Sequence, residues 1–310
     1  MIDRQTDRFC IETSWAMKAL LAEYSVFHDP VLAPEGEAML GVLAVSFERC
    51  GYEVVSPKEG DFEEELRLLA PQCDVGLVIA PDHLLGRFTR IIEERTHNIG
   101  CGSMSIAVCA NKQRTAAILA AHGIAVPGAV TTGPRVIKEI CGCGTQNMRL
   151  SEEEPQNGEF GQQFIEGEHL SVSLIGSRVV GEACLYYSGA PPLVLSLNRQ
   201  EIGIVDGRFC YRGGETPVDH PRYEEIIDVA TRSATVLGCQ GYAGVDVVVG
   251  DEIYVVDVNP RITSSLVGIA SIMEEEIAAL LVDASHGILP GSVTLTGHVR
   301  FDTHGKVMAP

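Results

Sequence analysis

A short stretch in the last third of the chain constrains the fold most. Residues 245–249 and 253–258 are two apolar, β-branched runs, with Gly250-Asp251-Glu252 between them. That pattern predicts a β-hairpin, because β-branched side chains suit a pleated surface and a glycine-containing trio suits the turn. Three oxygen-bearing side chains interrupt the runs: Asp246 on the first strand, Asp257 and Asn259 on the second. Residues two apart on a strand share a face, so Asp257 and Asn259 project together, and a hairpin can bring Asp246 beside them. Asp257 sits inside Tyr254-Val-Val-Asp257-Val258, where an unpartnered carboxylate is expensive to bury. Two carboxylates and an amide are hard oxygen donors, and they suit Mg²⁺ or Mn²⁺ carried in with nucleotide phosphates.

The first hundred residues alternate between strand and helix. Residues 17–24, 52–56 and 74–80 read as strands, the last a near-continuous apolar run typical of a buried parallel strand. Residues 27–37 read as a loop leading to a helix of about twelve residues with an apolar stripe. Gly51 ends that helix, and residues 62–70 and 86–96 read as two more. The alternation indicates a small doubly wound α/β unit. Ligands gather beyond the carboxyl ends of such strands. The loop after the first strand, with Glu35, and the Pro81-Asp82-His83 loop are therefore substrate-contact candidates. Residues 1–17 read as a loosely attached leader, and Gly100-Cys101-Gly102 breaks the pattern ahead of a boundary near residue 105.

Beyond the boundary, Asn111-Lys112 opens an alanine-rich helix to residue 122, which Gly123 stops. Residues 135–139 read as a strand carrying Lys138, followed by Cys141-Gly142-Cys143-Gly144. A lysine supplies a point charge and glycines let backbone amides approach, which is the logic of a phosphate cover. Only five of the basic residues are lysines, so each one in an apolar or glycine-rich context is a candidate. Residues 151–161 read as an exposed acidic loop. Residues 162–174 read as strand, turn and strand, and 172–175, 178–184 and 193–197 as an antiparallel set. Residues 198–214 are rich in glycine and arginine; 223–237 and 273–284 read as helices, and 297–301 as a last short strand.

Composition excludes several classes. The formal net charge of −19 makes nucleic acid a poor partner. No apolar run reaches the roughly 18 residues that a membrane span needs, and the polar N-terminus lacks a secretory pattern. A cytoplasmic protein is expected. The ten cysteines contain no Cys-x-x-Cys pair and read as reduced thiols. No Gly-x-Gly-x-x-Gly follows an early strand, which argues against a dehydrogenase.

The order Lys112, Lys138 with its glycine-rich loop, the 162–170 segment and the acidic hairpin resembles the ATP-grasp carboxylate–amine ligases, over roughly residues 105–285. Two residues depart from the usual pattern: Asn111 replaces an aspartate and Asp257 a glutamate. The resemblance implies an α/β (α+β) ATP-grasp fold. An N-terminal α/β pre-domain (1–105) precedes a central subdomain (106–167) and a C-terminal one (168–310), which together clasp ATP. It implies that Lys112 and Lys138 steady the ATP phosphates under Gly142 and Gly144. Gln163 and Ile165 would offer main-chain hydrogen bonds to adenine, with Phe164 turned to the opposite face, and Glu168 or His169 would hold the ribose. Asp246, Asp257 and Asn259 would bind Mg²⁺ or Mn²⁺, with two ions expected, and Arg261 would neutralise an acyl phosphate. The implied partners are two small molecules, an amino acid and an amine, and the resemblance is compatible with a homodimer.

A narrower set, Glu23-Tyr24-Ser25, residues 33–40 and Asn259-Pro-Arg-Ile-Thr-Ser-Ser265, looks like the archaeal tyramine–L-glutamate ligases of methanofuran biosynthesis. That likeness implies the γ-carboxylate of glutamate as acyl donor and tyramine as amine, giving γ-glutamyltyramine, ADP and phosphate. The alternatives are a ligase for another amino acid or amine, and a nucleotide-binding regulator without turnover.

Overall fold

A computed structural model describes residues 16–142, 147–178 and 190–308. Nearly all of the expected leader, most of the expected 178–184 strand, and Cys143 and Gly144 lie outside these residues.

The first unit begins with β1 (Lys18–Glu23), α1 (Ser25–His28), α2 (Ala33–Arg49) and β2 (Glu53–Val55). It continues with α3 (Phe62–Leu69), β3 (Val75–Ile79), α4 (Asp82–Arg95) and β4 (His97–Asn98). Its strands form a parallel sheet in the order β2-β1-β3-β4. Alternation along β1 buries Ala19 and Leu21 toward α2 and Leu20 and Ala22 toward α3 and α4, so both faces are covered as in a doubly wound sheet. Two helices start earlier than sequence suggests. α2 opens at Ala33, because Pro34 sits in the first turn, where a missing N–H costs nothing. α4 opens at Asp82, so Asp82 and His83 are helical and not loop residues.

α5 (Ser103–Cys109) crosses the expected boundary at 105, and α6 (Lys112–Ala121) follows it. The Asn111 side chain caps α6 by accepting the Arg114 N–H at 2.9 Å. Aspartate and asparagine cap helices about equally well, so the departure at Asn111 is structurally mild.

The rest of the chain builds one large sheet. Its strands are β5 (Arg135–Glu139), β6 (Arg149–Ser151), β7 (Glu159–Gln162), β8 (Glu168–Gly176), β9 (Leu193–Val205) and β10 (Arg208–Thr216). After α7 (Tyr223–Val236) come β11 (Gly241–Val249) and β12 (Ile253–Asn259), then α8 (Ser265–Ile272), α9 (Ile277–Ser285), β13 (Val299–Phe301) and β14 (Val307–Met308). The order is β12-β11-β8-β9-β10-β6-β5-β7, with β13 on β10 and β14 on β13. α7 covers one face through Ile226, Ala230 and Ala234, while α8 and α9 cover the other against Ile175, Leu195 and Tyr242.

Several elements go beyond, or differ from, those expected. Residues 198–214 are the long β9–β10 hairpin, turned at Asp206 and Gly207, whose φ angles are both positive (50° and 75°). Glu159–Gln162 is a strand and not loop, and the Arg149 guanidinium grips the Glu159 carboxylate through two bonds of 2.6 and 2.9 Å. The expected 273–284 helix begins late, as α9 from Ile277, and α8, which ends at Ile272 ahead of it, was not expected. Residues 163–167 connect β7 to β8 and are not themselves strand.

Candidate active site

A cavity of about 630 Å³ lies between the carboxyl edge of the parallel sheet and one face of the large sheet. One wall is the hairpin. β11 and β12 pair antiparallel, with Gly244 opposite Asn259 and Asp246 opposite Asp257. The register shifts immediately after Asp246, and such a bulge re-aims neighbouring side chains. The three oxygen donors therefore meet as their spacing predicts. Asn259 Nδ2 donates to Asp246 Oδ2 at 3.1 Å, and Gln200 Nε2 donates to Asp246 Oδ1 at 2.9 Å.

Cations gather around these acids. The cap at Asn111 sets the start of α6 so that Lys112 Nζ donates to Asp257 Oδ2, across 145 residues of sequence. Lys138 is carried by β5; its Nζ donates to the Val256 carbonyl at 2.8 Å and lies 5.5 Å from the centre of the Phe160 ring. Arg261 Nη2 donates to Asn259 Oδ1 at 3.3 Å, and its Nε donates to Asp82 Oδ1 at 3.3 Å. Asp82 thus reaches the site by holding Arg261, a contact its position in sequence does not reveal.

Burial sets the charges. Desolvation, and then the neighbouring Asp257 charge, push the Asp246 carboxyl up to about 7. Burial pushes Asp257 the same way, but Lys112, Lys138 and Arg261 outweigh it and hold that carboxyl below its usual range. Lys112 responds in kind: desolvation opposes its charge, and Asp257 with Asp82 more than offsets that, so its pKa rises. Lys138 lacks so close an acid, and burial lowers it to about 8.

Two carboxylates and an amide oxygen are the right chemistry for a hard divalent cation, and a cation would relieve the charge crowding at Asp246. Among the described residues no three or more His, Cys, Asp or Glu side chains are grouped to hold a metal unaided. The donors therefore fit a partial set, to be completed by ligand oxygens and water.

The other expected residues divide. Gln163, Phe164, Ile165 and Gly142 all line the cavity. Phe164, expected to turn away, faces it and packs at a tilt 6.4 Å from the Phe209 ring. The Gln163 N–H is already given to the Gly128 carbonyl at 2.8 Å, which leaves its own carbonyl as the group to offer. His169 lines the cavity, whereas its neighbour Glu168 is exposed on the other face of β8 and stands 3.5 Å from His220. Gln200 and Glu23 also line the cavity, and the sequence assigns neither of them a place in the site. Glu23 carries the stronger signal, because it ends a parallel strand at the edge where ligands collect.

Comparison with known proteins bears on the family and the fold. A model of the ATP-grasp domain matches residues 109–265. The tyramine–L-glutamate ligase of Methanocaldococcus fervens is 36% identical over 215 residues, covering 68% of this chain and 66% of that protein. The enzyme of the same name from Methanocaldococcus jannaschii is 33% identical over 232 residues, covering 73% and 68%. The chain thus matches about two thirds of the length of these relatives. Among solved structures, an ATP-grasp superfamily protein from Archaeoglobus fulgidus superposes with a TM-score of 0.74 at 26% identity, covering 92% of each chain. This chain belongs to the ATP-grasp family.

Proposed function

We propose that the protein is an ATP-dependent, ADP-forming ligase that joins the γ-carboxylate of glutamate to the amine of tyramine, which would give it a role in methanofuran biosynthesis. The observation that carries this reading is the convergence of Lys112, Lys138, Arg261 and the Asp246/Asp257/Asn259 set on one cavity. The names of the two Methanocaldococcus relatives supply the substrates.

The chemistry follows from what the residues can do. A carboxylate is a poor acyl donor because oxide is a poor leaving group. Its oxygen attacks the γ-phosphorus of ATP, the bond to the β-phosphate oxygen breaks, and ADP leaves. The amine then forms the C–N bond to the acyl carbon, the C–O bond to phosphate breaks, and the amine loses a proton. Lys112 and Lys138 steady the phosphates, with residues 106–167 and 168–310 acting as two jaws and Gly142 and Gly144 as the cover. The Gln163 carbonyl and the Ile165 main chain bind the adenine edge, and His169 the ribose. Mg²⁺ or Mn²⁺ held by Asp246, Asp257 and Asn259 would offset charge on the transferring phosphoryl group. Arg261, held by Asp82, offsets charge at the acyl centre.

The test is a panel of amino acids and amines with ATP and Mg²⁺ or Mn²⁺, scored for ADP and for product mass. Glutamate with tyramine is expected to give ADP and γ-glutamyltyramine in equal amounts. ATP binding without turnover on any pair would favour a regulator and overturn the reading.

A further inference from the structure

At the opposite wall of the same cavity stands Glu23, the last residue of β1, only 5% exposed yet lining the open space. Its Oε2 accepts the Val26 N–H at 2.8 Å, which fixes the carboxylate beyond the strand end. α2 passes directly against it: a Cβ built on Gly36 would collide with that oxygen. Glycine inside a helix is unfavourable, and here it leaves room for the carboxylate that any larger residue would displace. Glu35 lies alongside, Ser25 and Asp29 add polar groups, and Val31, Leu32, Met39 and Ile79 contribute apolar surface. Among the described residues, the lysines and arginines lining the cavity are Lys112, Lys138 and Arg261, and those three cluster at the hairpin. Burial pushes the Glu23 carboxyl above its usual range, a cost that a cation lodged against it would offset.

We propose that Glu23 receives the primary ammonium group of an amino substrate, with the apolar residues of α2 and β3 taking the carbon skeleton. This rests on the ligase reading above, and deepens it by assigning the recognition of that substrate. The ammonium could belong to the amine or to the α-position of the amino acid, and ligand pairs distinguish the two sources.

The experiment is calorimetric titration of the full chain saturated with a non-hydrolysable ATP analogue and Mg²⁺. Tyramine is compared with 4-hydroxyphenylethanol, which replaces its amine with a neutral hydroxyl. Glutamate is compared with glutarate, which lacks only the α-ammonium. In the unaltered protein one ammonium-bearing member is expected to bind roughly 10- to 100-fold more tightly than its partner, the range of a charge-assisted hydrogen bond. Preference for tyramine assigns the amine; preference for glutamate assigns the amino acid. Glu23→Gln is expected to abolish the preference. Gly36→Ala keeps the charge and improves the helix former but pushes a methyl group into the carboxylate, and it is expected to reduce the preference too. Unchanged binding of the ATP analogue by both variants shows that the fold persists. No preference in the unaltered protein, no binding of any of the four compounds, or a preference that survives Glu23→Gln overturns the assignment. Absent turnover with an intact preference would instead count against the ligase reading alone.

Discussion

Lys112 and Asp257 form an ion pair whose side chains are only 7% and 19% exposed, so water screens it little. Replacing Asp257 with asparagine leaves the Lys112 ammonium buried without its counter-charge. Breaking a buried pair in this way costs ~3–5 kcal/mol. The same change removes the repulsion that Asp257 exerts on Asp246, so the low end of that range, ~3 kcal/mol, is expected. With an unfolding entropy of ~2.1 cal/mol/K per residue, a chain of this length loses about 5 °C in Tm. Thermal unfolding followed by circular dichroism, at pH 7 without nucleotide or metal, reads the shift. Adding Lys112→Met to Asp257→Asn removes both charges and is expected to recover most of the loss, since residues in direct contact do not combine additively. An Asp257→Asn variant that melts with the unaltered protein, or a double variant no more stable than the single one, would refute the reasoning.

Further outcomes follow from the same geometry. Lys138 titrates near 8 because burial disfavours its charge, so it is mostly neutral at pH 9 and mostly protonated at pH 7. ATP affinity is therefore expected to rise roughly tenfold as pH falls from 9 to 7, and Lys138→Met should flatten that part of the profile; fluorescence titration with a nucleotide analogue checks both. His169→Ala is expected to weaken ATP binding, while Glu168→Ala, altered on the outer face of β8, should leave it unchanged in the same titration. Chelating divalent cations should remove most of the thermal protection given by ATP, about 2.7 kcal/mol at a hundredfold excess over Kd, and Mn²⁺ or Mg²⁺ should restore it.

Much of the site is legible in the order of the amino acids. The β-branched runs suit strands and the Gly250-Asp251-Glu252 trio between them suits a tight turn, so the meeting of Asp246, Asp257 and Asn259 can be read directly. The apolar run ending at Ala80 likewise announces a parallel strand. Other elements are hidden for physical reasons. α8 is largely apolar, with Leu266, Val267 and Ile269 all buried and serines at 265 and 271, so it shows little of the period-3.6 stripe that would betray it. The β9–β10 hairpin is masked by its glycines and arginines, although Asp206-Gly207 is a strong turn signal in its own right. The charge pairing cannot be read at all, because Lys112 with Asp257 and Asp82 with Arg261 join residues far apart in sequence. Glu168 and His169 look equivalent until the register of β8 assigns them to opposite faces.

If this cavity activates a carboxylate by transferring phosphate to it, an oxygen of that carboxylate leaves with the phosphate. Glutamate carrying ¹⁸O in its γ-carboxylate, incubated with ATP, tyramine and Mg²⁺, tests that transfer, with mass spectrometry of the released phosphate as the readout. One ¹⁸O atom is expected in the phosphate for each amide formed. Amide formation with unlabelled phosphate would contradict it.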